Sequence, residues 1–158
     1  MKKYFLFVVI FGILVSGNIS ASLVAFHIVE TGIPESGAAY EYTQLWENAF
    51  MDVFFDAGYI VSNAPIIRIE TKPDIGIFDY IINDIAEIRR WGVDYILITQ
   101  LDYTGDSRLP AQIKFIIYKV TSNETILERN IEGRTYRSAR EGQDDIRSII
   151  RGLVPYIR

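Results

Sequence analysis

The chain has 158 residues, with 16 Lys and Arg against 20 Asp and Glu, a formal charge of −4, and no cysteine. An acidic balance excludes the usual nucleic-acid and anionic-membrane binders, which cluster Lys and Arg, and the lack of cysteine excludes disulfides, thiolate metal sites and a lipidated cysteine. The first element is the segment 1–21. Lys2 and Lys3 precede an apolar run from Tyr4 to Val15, broken only by Gly12, and Ser16 to Ala21 is small and polar. That is the layout of a secretory signal peptide, with cleavage expected after Ala21; the run is too short to span a bilayer, so no transmembrane anchor is expected after cleavage. Removal of two lysines and no acid leaves 14 basic and 20 acidic residues, a formal charge of −6. Residues 22–158 suffice for one domain of ordinary size.

Leu23 to Val29 is β-branched and aromatic and ends at Thr31, Gly32 and Pro34, which predicts a strand and then a loop. From Tyr42, the residues Leu45, Trp46, Ala49, Phe50, Val53, Phe54 and Ala57 recur at helical spacing, with Gly58 placed as a left-handed stop. Tyr59 to Val61 and Ile66 to Ile69 predict a second strand region, bent or at an edge because Asn63 and Pro65 interrupt it. Phe78, Ile81, Ile82, Ile85 and Ile88 mark a second helix that Gly92 terminates. Val93 to Tyr103 is apolar on both alternating faces, as for a central strand covered on both sides. Ile113 to Val120 and Thr125 to Ile131 flank Thr121 to Glu124 in a hairpin pattern. Ile146, Ile149, Ile150, Leu153, Val154 and Ile157 form the stripe of a closing helix. The expected architecture is β-α-β-α-β-β-β-α: an α/β fold, α+β in detail, with helices packed on a mixed sheet.

The run AEIRRWGVDYILITQLDYTGD from Ala86, then IKFIIYKVTSNETILERNIEG from Ile113, then a charged helix beginning near Ser138, resembles the amino-terminal domain of TolB and its relatives. Among these are outer-membrane activators of peptidoglycan synthases, CsgG-type secretion lipoproteins and flagellar accessory proteins. The resemblance implies an exported domain, similar to anticodon-binding domains, that docks other proteins. The chain departs from TolB in having no β-propeller or partner-binding extension, and from the lipoproteins in having no cysteine.

Chemistry-bearing residues are sparse. His27 is the only histidine and sits among Phe26 and Ile28, which reads as packing. Glu30, Asp102 and Asp106 lie near strand ends, where α/β sheets bind ligands, but no spacing ties them together. The loop Thr31 to Ala39 lacks the ending of a phosphate loop. Arg134, Arg137 and Arg140 recur every third residue and would share one helix face able to grip an anion, or form a solvated segment offset by Glu132, Glu141, Asp144 and Asp145. The triplet Asn123-Glu124-Thr125 reads as turn chemistry.

No catalytic, metal or cofactor residue is therefore assigned. The expected function is that of a non-enzymatic, periplasmic or otherwise exported envelope protein that docks another protein; neither partner identity nor oligomeric state follows from the sequence. The competing readings are a small-molecule or anion-binding domain, in which the Thr31 to Ala39 loop and the arginines converge, and a hydrolase using Glu30 and Asp102. With the Leu45 to Phe54 stripe facing the core, a rotation of about 100° per residue turns Met51 and Phe55 outward beside Gln44 and Asn48. These four are the candidate partner surface.

Overall fold

In the computed structural model, which describes residues 21–32, 39–69, 78, 81, 85–103 and 109–157, the first apolar run after residue 22 is β1 (Leu23–Thr31). α1 (Ala39–Asp56) follows, then β2 (Ile60–Asn63) and β3 (Ile67–Ile69). α2 (Ile85–Arg90) leads into β4 (Tyr95–Asp102), β5 (Gln112–Lys119) and β6 (Glu124–Glu132). α3 (Ala139–Arg151) and a 3₁₀ turn (Val154–Tyr156) complete the order. The expected succession is present, with the second strand region split in two. Pro65 lies in the gap, and a proline cannot donate to a ladder. β1 accordingly pairs with β2 through Leu23–Phe26 and with β3 through Val29–Thr31.

The sheet runs β2-β1-β4-β5-β6, with β3 also on β1. β1 is parallel to β2, β3 and β4, whereas β4, β5 and β6 are successively antiparallel, so the sheet is mixed. β4 is its middle strand, and Tyr95 to Thr99 are all buried. Alternation along the strands separates two cores. On one face Val24, Phe26, Ile28, Leu97, Ile113, Phe115 and Ile117 pack under α1 and α3. On the other, Val29, Ile96, Ile98 and Ile116 pack against Ile81 and Ile88, with half-buried Phe78 alongside. Ile82 lies outside the described residues.

α1 is seated by aromatic contacts. Trp46 is fully buried, 5.6 Å from Phe115 and 6.2 Å from Phe50, and Phe50 stacks on Phe26 at 5.4 Å. Burying each such side chain stabilises the fold by about 2–3 kcal/mol. α1 and α3 lie side by side and parallel, since Asp52 pairs with Arg147 near their ends and the Tyr59 hydroxyl donates to the Ile157 carbonyl just beyond them. β6 is the outer edge of the sheet, with Glu124, Glu128, Arg129, Asn130 and Glu132 exposed along it.

Both predicted glycine stops are present. Gly58 (φ 88°) donates to the Phe55 carbonyl at 2.9 Å, and Tyr59 N–H donates to that of Phe54 at 3.0 Å. Gly92 (φ 75°) repeats the pattern with Arg89, and Val93 with Ile88. In each case the residue after the glycine meets the apolar residue five earlier, Tyr59 on Phe54 at 5.8 Å and Val93 beside Ile88 in one core, which completes the left-handed helix stop.

Candidate docking surface

The apolar stripe of α1 fixes what the helix presents outward. With Trp46, Ala49, Phe50, Val53 and Phe54 buried, Gln44, Asn48, Met51 and Phe55 are exposed, Met51 at 38 % and Phe55 at 73 %. α3 brings a second row alongside. Asp52 and Asp56, one turn apart on α1, and Arg147 and Arg151, one turn apart on α3, line an open cleft of about 410 Å³ together with Met51 and Phe55. The Arg147 guanidinium donates to the Asp52 carboxylate. A cleft lined by apolar side chains and by both signs of charge can hold a polypeptide. The acidic and basic rows are absent from the sequence-derived surface. Their signal was the spacing of four on each helix; what the spacing lacked was the neighbour, 95 residues away for Asp52 and Arg147.

The three arginines do not form the single helix face required of an anion grip. Ser138 is extended (φ −150°, ψ 157°) and its hydroxyl accepts the Glu141 N–H at 3.2 Å, so α3 starts at Ala139 and only Arg140 is in the helix. Arg134 Nη1 is 2.8 Å from Asp145 Oδ1, and the Arg137 backbone N–H donates to Glu141 Oε2 at 2.9 Å. Residues 33–38 of the loop expected to meet them lie outside the described residues.

Glu30 and Asp102 do not form a carboxylate pair either. β1 sets Glu30 beside Leu101 and Thr31 beside Asp102, and successive residues point to opposite faces. Glu30 is fully buried on the α1 side, where it accepts the Thr43 hydroxyl and, at 2.8 Å, Arg68 Nε from the paired position of β3. The Tyr103 hydroxyl lies 3.4 Å from Thr43 Oγ1, and burial raises its pKa. Asp102 lies on the other face with Gln100, Gln112, Lys114 and Asn130, around a cleft of about 200 Å³. Asp106 is outside the described residues. Burial lowers the pKa of His27, which lies half-buried on β1. Among the described residues, no three of His, Cys, Asp and Glu are grouped to hold a metal ion, and no helix is long and apolar enough to cross a membrane.

A family model described as "Uncharacterised protein" matches residues 23–122. No curated protein matches the chain. Among solved structures it is similar to the PelC dodecamer of Paraburkholderia phytofirmans in two crystal forms. One form, of a PelC carrying a single substitution, has 16 % identity and a TM-score of 0.51, covering 86 % of this chain and 89 % of that one. The other has 13 % identity and a TM-score of 0.52, covering 86 % and 87 %. TolB from Acinetobacter baumannii is similar at 14 % identity and a TM-score of 0.46, over 87 % of this chain and 27 % of TolB.

Proposed function

This chain belongs to the family described as "Uncharacterised protein", and we propose that it is an exported, non-enzymatic envelope protein that docks another protein on the outward face of α1. The observation that carries the reading is Phe55, 73 % exposed one turn from Met51, beside a cleft whose rim offers both carboxylates and guanidinium groups. Large apolar side chains ringed by charge are the composition of interface centres. The export half rests on residues 1–21, whose basic, apolar and small-polar zones follow the order of a signal peptide. The resemblance to exported domains of the TolB kind supports the docking role.

A second copy of the chain is the alternative occupant, because the similarly folded PelC is described as a dodecamer. A small-molecule or anion-binding role is less well supported, given the engagement of Arg134 with Asp145.

Phe55→Asp tests the reading. A side chain this exposed tolerates the carboxylate, so the melting temperature stays within about 2 °C of the parent. Purified by a tag from envelope extracts, the parent retains a stoichiometric partner and the variant loses it. Light scattering on the purified parent separates self-association from a different protein. A variant as stable and as well partnered as the parent overturns the assignment of this face.

A further inference from the structure

The sheet face turned away from α1 changes character along its length. Its first half is apolar: Ile96 and Ile98 of β4 stand beside Tyr118 and Ile116 of β5 and pack against Ile81 and Ile88. Two residues further on, the same alternation turns polar. β4 presents Gln100 and Asp102, in register with Lys114 and Gln112 of β5, and Asn130 of β6 stands beside Lys114. These five line the cleft of about 200 Å³. A central strand covered on both sides calls for apolar residues throughout, and the β1 neighbours of Gln100 and Asp102, Val29 and Thr31, are buried. The polar half is therefore a departure from what the core asks of β4.

These groups are not spent on the fold. Among the described residues, no hydrogen bond or ion pair engages the half-buried Asp102 carboxylate or the side-chain amides of Gln100, Gln112 and Asn130. Thr31, beside Asp102, keeps a buried hydroxyl with no partner. Unmatched polar groups of this kind cost free energy, and a native fold retains them where they have a task. Their place in the topology is also a ligand's place. β1 hands the chain on toward β2 and β4 hands it on toward β5, in opposite directions across the sheet. Outside the carboxyl ends of such a strand pair is where open α/β sheets bind ligands.

We propose that this cleft binds one ring of a saccharide. A carboxylate only accepts, an ammonium only donates, and an amide does both. Asp102, Lys114 and the three amides together match a ligand whose every polar group both donates and accepts, and that group is the hydroxyl. Lys114 Nζ is 2.6 Å from Glu128 Oε1, which offsets its charge and leaves the ammonium with donors to spare. The unpaired charge is thus that of Asp102, which repels a phosphate or carboxylate, while the ammonium and the amide N–H groups oppose a cation. A volume below the about 300 Å³ at which drug-sized pockets begin suits one ring. The site lies across the sheet from α1, so it adds to the docking role and is independent of it.

The side-chain amides provide the test, because Gln100, Gln112 and Asn130 each give N–H signals in a nitrogen–proton correlation spectrum that substitution assigns. The isotope-labelled protein is titrated with glucose, galactose and mannose to about 50 mM, ample for a millimolar site, and with maltotriose, which presents the glucose ring within a chain. Saturable shifts of the three amide signals are expected. Asp102→Asn is expected to weaken binding about tenfold, and Gln112→Ala, at an exposed position where folding is not at stake, about fivefold. Maltotriose bound more tightly than glucose assigns the site to a ring of a glycan, and equal or weaker binding assigns it to a free sugar. No saturable shift with any of the four overturns the proposal. So do equal affinities in the parent and both variants, or shifts that glycine or inorganic phosphate produces and the sugars do not. Phe55→Asp, which tests the α1 face, leaves the shifts unchanged; their loss in a folded Phe55→Asp would place the ligand elsewhere and overturn the assignment of this cleft.

Discussion

Gly58 and Gly92 hold φ values of 88° and 75° in open surroundings, where an added Cβ would meet no atom within 4 Å. The cost of a side chain is then conformational alone. Gly58→Val or Gly92→Val should each remove about 1–2 kcal/mol and lower the melting temperature by about 4–8 °C, read by thermal unfolding. His27 gives a prediction of the opposite kind. Its imidazole is held below the ordinary value of 6.5 by burial, so the unfolded chain takes up the proton first. Stability from this residue is complete above pH 6.5 and declines as pH falls below it. The melting temperature should therefore drop between about pH 7 and about pH 5.5 by more in the parent than in His27→Gln. The two glycines were legible in the sequence because a left-handed stop depends on a few neighbouring residues. The clamp of Arg68 and Thr43 on Glu30 was not, because it joins residues that only β1–β3 pairing and the seat of α1 bring together.

At the scale of elements, the long periodic stripes of α1 and α3 fixed type and facing, and the both-sided apolarity of β4 fixed its central place. Boundaries were less legible. α1 begins at Ala39, ahead of Tyr42, and α3 begins after Arg134 and Arg137, which broke up the arginine face. The start of α3 is set by Ser138, whose hydroxyl satisfies a backbone donor of the first turn. Ser138→Ala should cost about 1 kcal/mol, while Ser138→Asp, which keeps an acceptor there, should not. Chemical denaturation of the two variants checks this, and an equal loss in both would move the helix start elsewhere.

For the whole molecule, a mixed sheet with helices packed on it and a central β4 were readable once the elements were, whereas the full strand order, with β1 between β2 and β4, came from the structure. The α1–α3 cleft was not readable, since it depends on two helices from opposite ends of the chain lying parallel. Export yields the prediction at this scale: protein recovered from the periplasm should have an intact mass beginning at Ser22. The exposed outer edge of β6 has a consequence for solubility. If two copies met edge to edge with strands antiparallel, the sides of the two sheets would have to match, so only registers that set a residue against one of the same parity are open. The centred register sets Glu128 against its own copy; a shift of one sets Arg129 against itself. Like charges directly opposite repel, so these pairings are resisted and the strand is guarded against templating fibrils. Exchanging Glu128 and Arg129 for Thr would leave the fold in place and remove that guard.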